Sequence, residues 1–188
     1  MTTLCSLADK YGSDKTVSIF HDYTEFYADL LEDRHVKRIL EIGIGTVAVM
    51  NHIKNYRPGA SLRMWHDYFP WAEIWGWDVD HSVLFEEPPI HSLYCDQRSE
   101  DSLLNAATIV GGKFDLIIDD GSHDVNDQAL TANTLIPRLL SPNGVYVIED
   151  VIYRKELYAM LPFPTEVKIF NLKRTPDDCL FIIEGSKL

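Results

Sequence analysis

Two short apolar runs, each ending in acidic residues, constrain the fold of this chain most strongly. The first reads FDLIIDDGSH over residues 114–123, and the second reads VYVIED over residues 145–150. Runs of this length, rich in Ile and Val and closed by turn residues, are typical of strands buried on both faces of a sheet. Four acids would then follow the carboxyl ends of two strands, the edge at which open α/β sheets bind ligands. These acids are Asp119, Asp120, Glu149 and Asp150.

The crowding of these acids predicts a cation among them. Neighbouring carboxylates repel one another, so a positive charge is expected between them. Oxygen ligands of this kind suit a hard ion such as Mg²⁺. His123 lies one turn further along the chain, where a neutral imidazole suits a general base. A plainer interpretation stays open, in which His123 caps the following helix and Asp119 orients its neighbours.

The remaining pattern alternates between strands and helices. Buried strands are predicted over residues 36–42, 73–79, 91–95, 114–119 and 145–149, and a closing hairpin over residues 166–171 and 179–184. Helical spacing begins near Val17 and continues to Leu31, and further helices are predicted over residues 61–69, 99–110, 126–140 and 153–160. Five strand–helix units and a hairpin indicate an α/β fold with a doubly wound, mostly parallel seven-stranded sheet that ends in an antiparallel hairpin.

No linker divides the chain, so we expect a single domain over residues 1–188. Residues 36–188 would form its core, and residues 1–35 an N-terminal lid and helix. The polar segment 1–17 fits either a disordered leader or an ordered lid. Ser61 is expected to cap the helix that it begins, and the four tryptophans, including Trp71, are expected mostly in the core.

The composition excludes several classes of partner. The 188 residues include 17 Lys and Arg against 29 Asp and Glu, a formal net charge of −12. Such a charge argues against nucleic acid, whose binding needs a basic face. Three scattered cysteines without a CxxC pair predict reduced thiols, as in the cytoplasm. We expect no signal peptide and no membrane-spanning segment.

A glycine turn follows the first predicted strand. Gly43 and Gly45 lie in EIGIGT, where a nucleotide can approach the backbone closely. Asp78, at the end of the second strand, is positioned to accept hydrogen bonds from a ribose, and Asp96, at the end of the third, from an adenine amino group. The third glycine of the dinucleotide fingerprint is missing. A nucleoside without phosphates fits this shorter turn better, and S-adenosylmethionine (SAM) is the leading candidate. The alternative that these acids are solvated strand ends stays open.

The chain resembles the class I SAM-dependent methyltransferases, and among them the metal-dependent sugar O-methyltransferases of macrolide and other antibiotic pathways. The stretches that carry the resemblance run from about residue 7 to residue 151. They are LADKYGSDKT, HDYTEFY, ILEIGIG, SLRMWHDYFP, WGWDVD, CDQRS, FDLIIDDGSHD and SPNGVYVIED. Those relatives also carry a separate N-terminal domain that shapes the acceptor pocket, and no such domain is recognised in this sequence.

The resemblance implies a role for each matching position. His123 would be the general base, and the Mg²⁺ or other divalent ligands would be Asp120, Glu149 and Asp150. The expected contacts of the SAM site are Tyr11, Ser13, Lys15, Glu41, Gly43, Gly45, Asp78, Asp96, Gln97 and Asp119.

The sequence therefore predicts a SAM- and Mg²⁺-dependent O-methyltransferase that acts on a hydroxyl of a sugar-like small molecule or glycan. Two alternatives stay open: a metal-dependent hydroxylase of the cephalosporin hydroxylase type, and a SAM-binding module without catalysis. The acid-rich cluster favours the transferase, because oxygen chemistry usually uses His ligands with a carboxylate. A homodimer through the N-terminal helix is one option for assembly.

Overall fold

The computed structural model of the chain describes residues 3–16, 18–19, 21–169 and 179–188. Within these ranges the strands are β1 (Arg38–Ile42), β2 (Glu73–Asp78), β3 (Glu86–Glu87), β4 (Ile90–Tyr94), β5 (Phe114–Asp119), β6 (Leu140–Ile148), β7 (Glu166–Ile169) and β8 (Cys179–Glu184). The helices are α1 (Leu4–Tyr11), α2 (Tyr23–Leu31), α3 (Ala60–Tyr68), α4 (Glu100–Val110), α5 (Val125–Leu139) and α6 (Arg154–Met160).

The described strands form one mixed sheet in the order β3-β4-β2-β1-β5-β6-β8-β7. The five central strands β4, β2, β1, β5 and β6 are parallel, and β8 and β7 add an antiparallel hairpin at one edge. Strand order reverses between β1 and β5. Connections leave this point in opposite directions and open a crevice above the carboxyl ends of the two strands, which places a ligand site there.

Alternating side chains on the central strands build two apolar layers. Along β5, Leu116 and Ile118 pack with the residues of α1, α2 and α3 on one side of the sheet, whereas Ile117 packs with α4, α5 and α6 on the other. This period of two is what a strand buried on both faces requires. It also decides on which side of the sheet each acid at a strand end lies.

The predicted α/β class and its doubly wound sheet are confirmed, with eight described strands in place of the expected seven. The additional strand is β3, in which Glu86 and Glu87 pair antiparallel with β4. A two-residue strand carries no apolar alternation, so sequence periodicity does not reveal it. The expected turn over residues 141–144 lies inside β6, where the pairing with β5 shifts register between Phe114 and Leu116.

The N-terminal segment contains a helix that its polar, turn-rich sequence did not predict. Residues Leu4–Tyr11 form α1, which Thr3 caps through its side chain and Gly12 ends with φ 72°. The second helix begins at Tyr23 rather than near Val17. Val17 and Phe20, which were placed on that helix, lie outside the described residues, as does the predicted end of β7 at residues 170–171.

Two further expectations are wrong. Ser61 does not cap α3, because Gly59 takes the N-cap position and the Ser61 hydroxyl donates to Glu41 instead. Trp71 is 61% exposed rather than in the core, with its indole N–H donating to the Val36 carbonyl. Trp65 and Trp77 are fully buried, as predicted. No helix among the described residues has the length and apolarity needed to cross a bilayer.

We predict that Tyr27→Phe lowers the free energy of unfolding by about 1.5–3 kcal/mol, the usual contribution of a hydrogen bond to a charged group. Tyr27 is fully buried on α2, and its hydroxyl donates to Glu149 Oε1 at 2.6 Å. Urea unfolding measures the change. Tyr158→Phe is the control, since that ring is 56% exposed on α6, and it should change stability by less than about 0.5 kcal/mol. Equal effects of the two variants would contradict the assignment.

Candidate functional site

The glycine turn after β1 lies directly against the end of β5. Gly43 has φ 83°, and a Cβ placed on it would lie 2.1 Å from the Asp120 carbonyl oxygen. The Gly43 N–H donates to the Trp77 carbonyl at 2.8 Å, so the turn is also tied to β2. A side chain at this position would collide with backbone, which explains the glycine.

A cavity of about 480 Å³ opens above this turn, within the size range of small-molecule sites. The predicted site residues that line it are Ser13, Glu41, Gly43, Gly45, Asp78, Asp96, Gln97, Asp120, His123 and Asp150. Four predicted residues do not line it, namely Tyr11, Lys15, Asp119 and Glu149. Each of these four makes polar contacts elsewhere.

Lys15 lies among the acids, although its side chain is only 1% exposed. Its ammonium is 2.6 Å from Asp120 Oδ2 and 2.7 Å from Glu149 Oε2. Glu41 Oε1 is also near, at 3.5 Å. Burial opposes the charged amine, but these carboxylates raise the pKa of Lys15 well above its ordinary value. The positive charge that the acid cluster predicts is thus supplied, at least in part, by the chain itself.

The N-terminal segment also holds Asp150. Tyr23 donates its hydroxyl to Asp150 Oδ1 at 2.6 Å, and His21 Nε2 lies 3.6 Å from Oδ2 of the same carboxylate. The rings of His21 and Tyr23 stack, with centroids 4.6 Å apart. Burial, and then the charge of Asp120, raise the pKa of Asp150 to about 6.

His123 faces the two acids that line the cavity. Its Nε2 lies 3.3 Å from Asp120 Oδ1 and 3.7 Å from Asp150 Oδ2. His123 and Asp150 both have positive φ, 58° and 53°, which is rare for residues other than glycine. Strained backbone of this kind costs free energy and clusters at functional sites. Here the positive φ of the two residues orients their side chains towards each other and towards Asp120.

Asp78 and Glu41 line the cavity from fixed positions. Asp78 accepts hydrogen bonds from the backbone N–H groups of Ile44 and Asp80, at 3.0 and 2.8 Å, and so ties the glycine turn to the end of β2. Glu41 accepts from the Ser61 hydroxyl at 2.7 Å and the Trp65 indole at 2.9 Å. The carboxylate oxygens of Asp78 each retain a lone pair for a ligand.

Asp119 and Gln97 hold the loop that follows β5 in place. The Gln97 amide donates to Asp119 Oδ1 at 3.1 Å, and its oxygen accepts from the Ser122 N–H at 2.6 Å. A Cβ on Gly121 would lie 1.8 Å from that oxygen, so glycine is needed there. Burial raises the pKa of Asp119 to about 7. These contacts position the loop that carries Asp120 and His123.

Two of the predicted contacts of the SAM site, Asp96 and Tyr11, have partners within the protein. Both carboxylate oxygens of Asp96 face the Arg98 guanidinium, at 2.8 and 2.9 Å. Tyr11 donates its hydroxyl to Asp67 at 2.7 Å on the far side of α1. Asp96 remains part of the cavity lining, whereas Tyr11 joins α1 to α3.

The group formed by Asp120, His123 and Asp150 fits a divalent cation. One ligand atom from each lies within 4.8 Å of the others. The two carboxylate oxygens suit a hard divalent ion such as Mg²⁺, with the imidazole beside them. Glu149 is not part of this group.

Sequence reasoning missed the residues that hold the acids from the N-terminal side. These residues are His21, Tyr23 and Tyr27, to which the sequence pattern assigned no role in the site. The hydroxyl groups of Tyr23 and Tyr27 are polar positions on an otherwise apolar face of α2, and such groups usually have a partner inside the protein.

No family model matches the chain. The chain is 38% identical over 152 residues to the 8-demethyl-8-alpha-L-rhamnosyl tetracenomycin-C 2'-O-methyltransferase of Streptomyces olivaceus, covering 79% of this chain and 37% of that protein. It is 33% identical over 155 residues to the mycinamicin VI 2''-O-methyltransferase of Micromonospora griseorubida, covering 79% of this chain and 36% of that protein. The chain thus spans little more than a third of the length of these curated relatives.

Solved structures that resemble this chain come from the same kind of enzyme as these relatives. The MycE methyltransferase of the mycinamycin biosynthetic pathway, in complex with Mg, SAH and mycinamycin VI, superposes with a TM-score of 0.72 at 25% identity. The match covers 96% of this chain and 54% of MycE. A second MycE structure, with Mg and SAH, gives 0.72 at 26% identity. The resemblance to class I methyltransferases and to antibiotic-pathway sugar O-methyltransferases is confirmed.

We predict that His123 stabilises the metal-free protein in a pH-dependent way. Burial opposes the charged imidazole, but the hydrogen bond and charge of Asp120 raise the pKa of His123 from 6.5 to about 9. The folded protein therefore binds this proton more tightly than the unfolded chain does. The stabilisation is complete below about pH 6.5 and is lost as the pH rises through about 9.

Urea unfolding in EDTA, compared between the wild type and His123→Gln, measures this contribution. The stability difference between the two proteins should shrink steadily between pH 6.5 and 9.5. A difference that is constant over this range would show that the imidazole is not held as a cation between the two acids.

Proposed function

We propose that this chain is the SAM-binding catalytic part of an O-methyltransferase that transfers a methyl group to a hydroxyl of a sugar-bearing small molecule with the help of a divalent cation such as Mg²⁺. The observation that carries the proposal is the cavity above Gly43, which is lined both by Asp78 and by the group of Asp120, His123 and Asp150. The similarity to sugar O-methyltransferases supports the same reaction.

The cavity suits an adenosyl cofactor in its charge as well as its shape. The glycine turn allows close approach of a nucleoside, and Asp78 provides an acceptor for ribose hydroxyls. Carboxylates outnumber cationic side chains on the described lining, where Asp78, Asp120 and Asp150 add to the acids paired with Lys15 and Arg98, so the cavity is acidic. An acidic cleft attracts a positive sulfonium more strongly than it attracts the neutral thioether that remains after the transfer.

The cavity-facing acids would hold the cation. Asp120 and Asp150 present carboxylate oxygens beside His123, and these donors fit Mg²⁺. A bound divalent ion lowers the pKa of a coordinated hydroxyl and so makes an alcohol a better nucleophile at neutral pH.

His123 would take the hydroxyl proton at Nε2, which faces both acids. A divalent ion at Asp120 and Asp150 would oppose the protonated imidazole that these acids favour in the metal-free protein, and so would leave the base neutral. As the acceptor oxygen bonds to the methyl carbon, the carbon–sulfur bond breaks and its electron pair stays on sulfur. The products are a methyl ether, S-adenosylhomocysteine (SAH) and the proton on His123. Asp120 would orient the imidazole and stabilise its charged form.

The acceptor class follows from the relatives, which are named for sugar hydroxyls on tetracenomycin and mycinamicin. A glycosylated small molecule is accordingly the acceptor that we propose for this chain. We further propose that residues 1–188 act as one domain, in which the segment 1–35 completes the site.

We predict that Gly43→Ala weakens the binding of SAH by at least about tenfold, because the new Cβ has to displace the backbone at Asp120 that borders the cofactor site. Isothermal titration calorimetry on correctly folded protein measures the affinity. Gly111→Ala is the control: this glycine also has positive φ, 54°, but a Cβ there meets no atom within 4 Å. The control should bind SAH within about twofold of the wild type, because it lies at the end of α4, away from the cavity. SAH binding by Gly43→Ala at wild-type affinity would argue against a cofactor above this turn.

We predict that His123→Asn lowers kcat by about 10²- to 10⁴-fold, the usual contribution of a general base. A rhamnosyl tetracenomycin serves as the acceptor, and SAH formation is measured with and without EDTA. EDTA should abolish turnover by the wild type, and added Mg²⁺ should restore it.

His91→Asn is the control, because this imidazole pairs with Glu86 on the far edge of the sheet. It should leave turnover unchanged. Full turnover by EDTA-treated protein would contradict the proposed role of the metal. Full turnover by His123→Asn would contradict the proposed role of His123 as the base.

A further inference from the structure

The carboxylates that line the cavity differ in whether the protein itself provides them with a partner. The acids on the described lining are Asp14, Glu41, Asp78, Asp96, Asp120 and Asp150. All of these except Asp14 accept a hydrogen bond from another residue. Within the described part of the chain, no other residue donates a hydrogen bond to the Asp14 carboxylate or forms an ion pair with it. Asp14 is thus the lining acid that has room for a partner from outside the protein.

The surroundings of Asp14 favour a positive partner. Burial, and then the charge of Asp120, raise the pKa of Asp14, while Lys15 and His21 oppose this rise. Both of these groups lie closer to other acids, because the Lys15 ammonium is 2.6 Å from Asp120 and His21 Nε2 is 3.6 Å from Asp150. A carboxylate that is partly removed from water and next to another acid is stabilised by a further cation.

The segment that carries Asp14 is fixed by its backbone. The N–H of Ser13 donates to the Ala8 carbonyl at 2.9 Å, and the Asp14 carbonyl accepts the N–H of His21 at 2.8 Å. These bonds tie the segment between α1 and α2 at both ends. The Asp14 side chain is therefore presented to the cavity by an ordered piece of the N-terminal region.

Electrostatic contacts place Asp14 near the glycine turn as well as near Asp120. Burial, and then the charge of Asp14, raise the pKa of Tyr56. The Tyr56 hydroxyl donates to the Ile44 carbonyl in the glycine turn, at 3.2 Å. The Asp14 carboxylate is thus close to groups that follow β1 and to a group that follows β5.

The strand order relates this position to the proposed ribose site. Asp78 follows β2 and Asp120 follows β5, and β1 lies between these two strands. A nucleoside that has its ribose at Asp78 and crosses the glycine turn of β1 extends its 5′ substituent towards β5. In SAM and SAH this substituent is an amino-acid arm that ends in an α-ammonium and an α-carboxylate. An ammonium donates three hydrogen bonds, whereas a sulfonium has no proton to donate.

We propose that the Asp14 carboxylate binds the α-ammonium group of the cofactor's amino-acid arm. The N-terminal segment then recognises the arm directly and separates SAM and SAH from adenosine derivatives that lack an amino group. This inference rests on the proposed function, because it needs an adenosyl cofactor above Gly43.

The affinity of the full chain for SAH, measured by isothermal titration calorimetry, provides the first test. Asp14→Asn keeps the shape of the side chain but removes its charge, and it should weaken SAH binding by about 10- to 100-fold, as expected for a hydrogen bond between charged groups. Asp22→Asn is the matched control, because Asp22 is exposed at the start of α2 and its side chain does not cap that helix. The control should bind SAH within about twofold of the wild type. An affinity of Asp14→Asn within the same twofold would overturn the inference.

A cycle that combines this variant with an altered ligand separates direct contact from an indirect effect. The ligand is deamino-SAH, in which hydrogen replaces the α-amino group. The wild type should bind it about 10- to 100-fold more weakly than SAH. Asp14→Asn should bind the two ligands within about threefold of each other, because the contact is already lost. Equal discrimination by the two proteins would show that Asp14 shapes the cavity without touching the amino group, and would overturn the inference.

A crystal of the wild type with SAH gives the contact without any variant, and it decides the matter if Asp14→Asn fails to fold. We expect the α-nitrogen of SAH within about 3.2 Å of an Asp14 carboxylate oxygen. SAH above Gly43 with its α-nitrogen bound elsewhere would overturn the inference and leave the proposed function in place. A wild type that neither binds SAH in solution nor holds it above Gly43 in the crystal would overturn both.

Discussion

The buried ammonium of Lys15 is the interaction on which the arrangement of this site depends. Asp120 and Glu149 come from neighbouring strand ends and repel each other, and the ammonium lies within 2.7 Å of both. Removing one partner of a buried ion pair costs about 3–5 kcal/mol, because the other charge stays in the interior without compensation. The N-terminal segment is therefore part of the structure of the site rather than a cover laid over it.

The strand period explains which acids Lys15 meets. Side chains alternate between the two faces of the sheet, and Glu41 shares its face with Ile39, on the side of α1, α2 and α3. Asp119 lies on the other face, where Gln97 and Tyr146 bond to it. The central strands and the crevice at their ends could be predicted from the sequence, because strands that are buried on both faces appear as short apolar runs. The separation of Asp119 from Asp120 could have been predicted from the same alternation.

Other parts of the site could not be predicted in this way, because they depend on contacts between residues far apart in the chain. Glu149 and Asp150 are adjacent, and a regular strand would send them to opposite faces. Positive φ at Asp150 breaks the alternation and brings its carboxylate to His123 and Tyr23. Helical spacing placed Tyr23 on the apolar face of α2 but gave no sign of its partner, which lies 127 positions away. The strand β3 escaped prediction because two polar residues at an edge have no apolar pattern.

Part of the acid cluster is balanced by groups of the chain itself. Glu149 and Glu41 are satisfied by Lys15, Tyr27, Ser61 and Trp65, all of which are permanent parts of the chain. Asp120 and Asp150 keep one oxygen each towards the cavity and His123. Because Lys15 is part of the chain, the charges of these inner acids are balanced without a bound ion. The negative charge of Asp120 and Asp150 lies at the cavity, where it would attract a divalent ion or a sulfonium.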